Sequence, residues 1–527
     1  MSMEEEVVPV HAQKMLLTAG FIALLGMLIH FYKVVWLKPR RVGLELNRQG
    51  IKGPGPWFLL GNIPEMMMFE YKLHKTPPIH DQDHAHVSHQ SWIHSIQPYF
   101  QHWTNLFGRT YLFWIGNIPM LYASEHSLVK EICLHSSLEL GKPVYLKDCF
   151  GPLLGEGIST SNGPTWAYQK KIIAPQLYMD KVKGMYNLIV ESANGLVKLW
   201  EMKMEKDGSG IVDVRIDEDL KSLSADVISK ACFGSNYSKG KQIFLRIRVL
   251  QQALMNRSNA ICIPGFMYVP TKNNREIWRL EKEVRSLVLK VVEERKQDKC
   301  EIDLLQIIIN GAQATELSFM SMENFIMDNC KTMYLAGHET TAITACWTLV
   351  LLASNPDWQA RVREEVFQVF VGHVQDTDHV LHKMRLLTMV IYEVLRLYPV
   401  ITQLLREVFE DLKFGDIQVP KGSKIWIPVL GLHRDPKIWG SDADEFKPER
   451  FANGVAGACK IPQLYLPFGA GPRLCPGQQL ALTELKIVLS IVISKFSFSV
   501  SPKYHHSPVS NLALEPEFGT SLLIKKI

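Results

Sequence analysis

The sequence contains no Cys-x-x-Cys pair. Its nine cysteines are an odd number, scattered from Cys133 to Cys475. That argues against both a zinc site of the usual spacing and a disulfide framework, and it fits a reducing compartment. Charge bias is equally scarce: 58 basic residues against 53 acidic ones leave +5, with a pI near 8.5. No concentrated basic face follows, so no nucleic-acid partner is expected. There is also no clear small-residue cleavage site after the apolar N-terminal run, and the basic charge lies on the wrong side for a cleaved signal peptide. Apolar residues are plentiful, at 47% of 527, enough to bury a large core.

Met15 to Tyr32 is apolar apart from Thr18 and His30, and Val34, Val35, Trp36 and Leu37 extend it to about the length that crosses a bilayer. Residues 1–37 therefore read as one transmembrane anchor in membrane lipid. Glu4, Glu5, Glu6 and Lys14 precede the span, whereas Lys33, Lys38, Arg40, Arg41 and Arg48 follow it. The positive-inside rule then places the main body in the cytosol. Residues 38–56 read as a basic and Pro/Gly hinge ending in Gly53-Pro54-Gly55-Pro56. Residues 57–527 remain as one domain.

Seven histidines fall between His74 and His102, but their spacing matches no ligand pattern, so a solvated insertion or irregular helix is expected there. Tyr111 to Ile115, Gly116-Asn117 and Met120 to Ala123 read as a β-hairpin. Glu191 to Arg295 is mostly helical in pattern. Short strands are expected at Lys413–Phe414, Lys424–Ile427 and Leu522–Ile524.

The organising stretch is Phe468-Gly469-Ala470-Gly471-Pro472-Arg473-Leu474-Cys475-Pro476-Gly477. Glycines let such a loop fold back and aim N–H groups at a sulfur, while prolines stiffen it. Phe468 can pack against a flat ring, and Arg473 carries a permanent charge suited to a carboxylate. The run from Gln478 to Lys486 favours a helix, which puts Cys475 just before a helix N-terminus, where a thiolate is favoured. A second segment, Glu323 to Ser354, reads as one long buried helix interrupted in polarity by Ala336-Gly337-His338-Glu339-Thr340-Thr341. Gly337 would let a flat ligand approach, and Thr340 can bond back to a carbonyl one turn earlier. A satisfied polar patch between helices is the alternative. Trp166 and Lys170, at i and i+4, share a helix face and could bind a carboxylate, though an ordinary amphipathic helix gives the same pattern. Glu393 and Arg396, at i and i+3, are by themselves compatible with a surface ion pair.

The loop resembles the haem-binding signature of the haem-thiolate monooxygenases, the cytochrome P-450 superfamily: Phe-x-x-Gly-x-Arg-x-Cys-x-Gly. Ala-Gly-x-Glu-Thr-Thr, Glu-x-x-Arg and Pro448-Glu449-Arg450-Phe451 also match family elements, in the expected order along nearly the whole chain. The resemblance implies a mainly α fold with a smaller β region, wrapped around a single haem b and preceded by one transmembrane helix. It implies that Cys475 is the iron ligand, that Glu339 and Thr340 deliver protons on the oxygen-binding face, and that Glu393, Arg396 and Arg450 form a buried structural network. Trp166, Lys170, Arg406 and Arg473 would hold the haem propionates, and Phe468 would pack on the ring. Lys170 departs from the family's Trp-x-x-x-Arg, exchanging a planar fork for a point charge. Val400 to Gln403 and Phe518 would face substrate. Electrons would come from NADPH through a flavoprotein reductase. Lys170, Lys171, Lys181 and Lys183 are candidates for its docking face, or merely a solvated one.

The strings Ile172–Met185, Trp36–Pro39 and Gln49–Pro54 look like a plant branch of the superfamily that oxidises gibberellins, related ent-kaurane diterpenoid acids and some triterpenoids. A monooxygenase of a small hydrophobic terpenoid, anchored in the endoplasmic reticulum membrane, is the reading this supports. Rival readings are a haem-thiolate isomerase or lyase and a non-catalytic haem-binding membrane protein; neither needs the Glu339-Thr340 pair.

Overall fold

The computed structural model describes residues 7–75, 92, 96–208, 210–234, 237–255, 266–297, 303–313, 320–370 and 381–527. His80, His84, His86, His89 and His94 of the histidine-rich stretch lie outside them.

Helix α1 (Val7–Tyr32) continues through a π-helical turn, Lys33–Leu37, into α2 (Lys38–Arg48). Side chains from Met15 to Val34 stand exposed along an apolar helix long enough to cross a membrane. Pro39 occupies the first turn of α2, where its missing N–H is no loss, so the first part of the basic segment is helical. The junction is docked: Trp36 meets Phe58 edge-on at 4.9 Å, and Asn117 Nδ2 donates to Val35 O over 3.1 Å. Leu46 is fully buried, and Leu112 N donates to Lys52 O at 3.0 Å.

Eight strands carry most of the β structure. They are β1 (Thr110–Ile115), β2 (Ile118–Ala123), β3 (Leu140–Gly141), β4 (Ile211–Arg215), β5 (Leu404–Val408), β6 (Lys424–Ile427), β7 (Phe496–Val500) and β8 (Ser521–Lys526). The expected hairpin is β1–β2. It opens a five-stranded sheet of order β1-β2-β6-β5-β3, parallel only between β2 and β6. A second sheet has the order β4-β8-β7. The strand expected at Lys413–Phe414 lies in a small hairpin, Leu412–Phe414 with Ile417–Val419.

Helices form the bulk of the molecule. Those that build the site are α3 (Gly163–Ile173), α4 (Ile216–Phe233), α5 (Tyr237–Met255), α6 (Met322–Ser354), α7 (Arg385–Leu397) and α8 (Gln478–Lys495). Ser321 Oγ caps α6 by accepting from Asn324 N at 3.2 Å. Inside α6, Thr340, Thr344 and Thr348 each donate to the carbonyl four residues earlier at 2.7–2.9 Å. Their hydroxyls are thereby satisfied in a helix that is otherwise deeply buried. Gly337 serves packing, contrary to the sequence expectation: a Cβ there would lie 2.6 Å from Ile228 of α4. The missing side chain lets α4 and α6 close on each other, and the open side of α6 is marked by Ala336 and Thr340.

Candidate active site around Cys475

The Cys475 loop is held by its own backbone. Cys475 N donates to Phe468 O at 2.9 Å, and Leu474 N to Gly471 O at 3.1 Å. Gly471 has φ 64°, and a Cβ on it would fall 2.3 Å from Cys133 O, so no larger residue fits. Gly477 has an ordinary φ of −83° and caps α8. The N–H groups of Gly477 and Gln478 turn toward the Cys475 sulfur. Burial pushes the Cys475 thiol up, while those two N–H groups and the Lys142 ammonium pull it down. A bound cationic metal would reverse the balance outright.

Helix α6 packs against α8, the helix that follows Cys475. Although Leu335 and His338 are buried, Ala336 is exposed and Gly337 and Thr340 are half-buried. Cys475 and Phe468 are likewise only half-buried. Thr340 Oγ donates to Ala336 O at 2.8 Å, leaving its lone pairs available to a further donor. Glu339 turns toward α5, where both carboxylate oxygens accept from Gln251 Nε2 at 2.8 Å. Burial raises the Glu339 pKa, against the lowering influence of Gln251, Lys221 and Arg248.

A group of cations lies on the other flank of the loop. Arg473 stacks on Trp166, 3.8 Å from the ring centroid, and donates to Ser161 O (2.9 Å) and Asn162 Oδ1 (3.1 Å). Arg406, on β5, is almost wholly buried, and among the described residues its guanidinium makes one hydrogen bond, to Leu405 O at 3.0 Å. Lys142 follows β3, and burial together with Arg406 and Arg473 pushes its ammonium down to about 7. Burial likewise lowers Arg406 and Arg473. No carboxylate is among the groups acting on these three residues. Cations gathered this closely, with no carboxylate paired to them among the described residues, suit an anion from outside the chain. A cysteine sulfur with aimed N–H donors, a half-buried phenylalanine in the same loop and a group of neighbouring cations form a donor set that fits haem b, with its iron and two propionates.

Below this layer the expected network is present. Arg396 grips Glu393 through Nε (2.7 Å) and Nη2 (2.8 Å), with both side chains fully buried. Arg450 Nε stands 3.5 Å from Glu393 Oε1, an ion pair without a hydrogen bond, while its Nη1 donates to Trp439 O at 2.9 Å. His433 links this network to the loop: its Nε2 accepts from Leu466 N at 2.8 Å and its Nδ1 faces Arg396 O at 3.2 Å. Burial and Arg396 hold it neutral, pushed down to about 3. Nδ1 therefore carries the proton.

The family model described as Cytochrome P450 matches residues 84–521. The chain belongs to the cytochrome P450 family. As a P450 it is a haem-iron monooxygenase, and plant relatives match it over nearly its full length. Cytochrome P450 714C2 of Oryza sativa subsp. japonica is 45% identical, covering 94% of this chain and 95% of that protein. Cytochrome P450 714B3 of Zea mays is 42% identical, over 99% and 98%. Cytochrome P450 714A2 of Arabidopsis thaliana is 40% identical, over 94% and 95%.

Two residues of this P450 site escaped the sequence reading, Lys142 and Gln251. Lys142 looks like any lysine before a proline, and only the pairing of β3 with β5 brings it beside Arg406. Gln251 lies 88 positions from Glu339 on a helix with no distinguishing motif. Of the residues expected to face substrate, Ile401 and Phe518 expose their side chains. Val400 is buried, and Thr402 is tied to Ser510 Oγ at 2.9 Å and to the Gln403 side chain.

Proposed function

We propose that this P450 hydroxylates a rigid terpenoid, most directly a gibberellin or related ent-kaurane diterpenoid acid. The balance is RH + O2 + NADPH + H⁺ → ROH + H2O + NADP⁺, with electrons arriving through a flavoprotein reductase. Haem b, when bound, supplies the activation of dioxygen. Cys475 would ligate it, Arg406 and Arg473 would neutralise its propionates, and Phe468 would pack against it. Thr340, with its hydroxyl proton committed to Ala336 O, offers lone pairs that orient a water on the α6 side. Glu339, whose buried carboxyl holds a proton more readily than an exposed one, is the proton source. The helix α1 anchors the enzyme in the endoplasmic reticulum membrane with its catalytic domain toward the cytosol, in keeping with the basic residues that follow it.

The observation that carries the chemistry is Thr340 on the open stretch of α6, with the buried Glu339 beside it in sequence, on a helix that packs against α8, which follows the Cys475 loop. The substrate class rests on the plant-branch strings, including Ile172–Met185, and is supported by the plant relatives.

The test is turnover in reductase-containing microsomes, with and without NADPH, on ent-kaurenoic acid, gibberellins and triterpenoid acids, read by mass spectrometry. An NADPH-dependent gain of one oxygen on a diterpenoid acid is expected. The same gain on triterpenoids alone would overturn the substrate class. NADPH-independent rearrangement, or no product from haem-loaded protein, would overturn the chemistry.

A further inference from the structure

In this chain the cation on the helix face of the Trp-x-x-x-Lys pattern is already engaged. Lys170 Nζ donates to Pro472 O at 2.6 Å and lies 5.1 Å from the Trp166 ring centroid. It joins α3 to the loop that presents Cys475. Lys142, by contrast, has no hydrogen bond or ion pair for its ammonium among the described residues, while its backbone is fixed from both sides. Lys142 N donates to Asn162 Oδ1 at 2.7 Å, and Asn162 Nδ2 returns a bond to Lys142 O at 2.8 Å. The same Asn162 Oδ1 accepts from Arg473 Nη2 at 3.1 Å, so one amide sets the positions of two cations. A Cβ on Gly141 would fall 2.2 Å from that oxygen, so the residue before Lys142 has to be small for the clamp to form.

The register sharpens the point. β3 and β5 pair Leu140 with Val408 and Gly141 with Glu407, so Lys142 leaves the end of β3 beside the stretch of β5 that carries Arg406, close enough for the two charges to repel. With Arg473 tied to the same amide, three positive groups converge, and among the described residues no carboxylate is paired with any of them.

We infer that Lys142 is the haem-propionate cation that replaces the arginine missing from Trp-x-x-x-Lys, and that Lys170 instead positions the Cys475 loop through Pro472. The inference rests on the haem reading and is independent of the substrate.

Three holoenzyme variants test it: Lys142→Met, Lys142→Arg and Lys170→Met. Haem transfer to excess apomyoglobin gives the rate of haem loss, and the propionate-bending bands of the resonance Raman spectrum report the propionate contacts directly. Lys142→Met should lose haem roughly tenfold faster, the scale of one charge-assisted hydrogen bond, and shift those bands. Lys142→Arg should restore both. Lys170→Met should leave the bands in place and lower the fraction of protein with the thiolate-type ferrous–CO spectrum. Band shifts in Lys170→Met equal to or larger than those in Lys142→Met would overturn the assignment. So would a Lys142→Met protein that keeps parental bands and haem-loss rate. A parent protein without any thiolate-type spectrum would instead sink the haem reading itself.

Discussion

Glu484 lies on α8, fully enclosed, with Ser224 Oγ donating to its Oε1 at 2.6 Å and, among the described residues, no cation acting on it. Burial raises its pKa from 4.5 to about 8. A carboxyl whose pKa is higher folded than unfolded binds its proton more tightly in the native state. Its contribution to stability is therefore complete below the unfolded pKa and disappears as pH rises through the folded one. At about 1.4 kcal/mol per unit, the loss between pH 5 and pH 8 comes to roughly 3–4 kcal/mol. Glu484→Gln removes the titration while keeping an oxygen for Ser224. The assay is denaturant unfolding of parent and variant at several pH values, reading only the difference between them, so that other titrating groups cancel. The variant should gain on the parent steadily from pH 5 to pH 8. A difference that stays constant over that range would refute the claim that Glu484 is held protonated.

Arg396→Ala should leave Glu393 buried without its bidentate partner, at a cost of roughly 3–5 kcal/mol, seen as poor haem incorporation rather than altered product. Arg450→Met should cost less, because Arg450 meets Glu393 only at 3.5 Å while Arg396 and Lys447 N still hold that carboxylate; comparable haem contents in the two variants would contradict this ranking. His433→Phe should strand the Leu466 N–H, at about 1–3 kcal/mol, lowering the thermal midpoint of the holoenzyme; an unchanged midpoint would mean that the link to the loop contributes little. Gln251→Leu removes a donor that lowers the Glu339 pKa, so the pH profile of product formed per NADPH oxidised should move to higher pH. An unmoved profile would take Gln251 out of the proton route.

What could be read from the sequence was local. The Cys475 loop and the long polar-centred helix carry their chemistry in consecutive residues, and Glu393 and Arg396 share one turn. Each therefore appears as a motif. Arg450 became legible only because the family ties it to them. The hidden parts depend on direction or on distant pairing. Nothing in Ala336-Gly337-His338 says that Gly337 points at Ile228 rather than into the site, because a one-residue step turns a helix by about 100°. Lys142 beside Arg406 needs the pairing of two strands. Glu339 against Gln251 needs the packing of α5 on α6. The helical first part of the segment read as a hinge was hidden for a different reason: proline, which breaks a helix interior, begins one at its first turn, as Pro39 does.

Strand β8 is the middle strand of its sheet, with Arg215 of β4 paired to Ser521 and Val500 of β7 paired to Leu522. During synthesis, β4 waits for a partner until the chain has passed both α6 and the Cys475 loop. A polypeptide halted before Ser521 already has its haem ligand but shows two bare strand edges, the kind of surface that invites pairing with other chains. The sheet thus acts as a completeness check, distinguishing a finished molecule from a truncated one that holds the same cofactor residues.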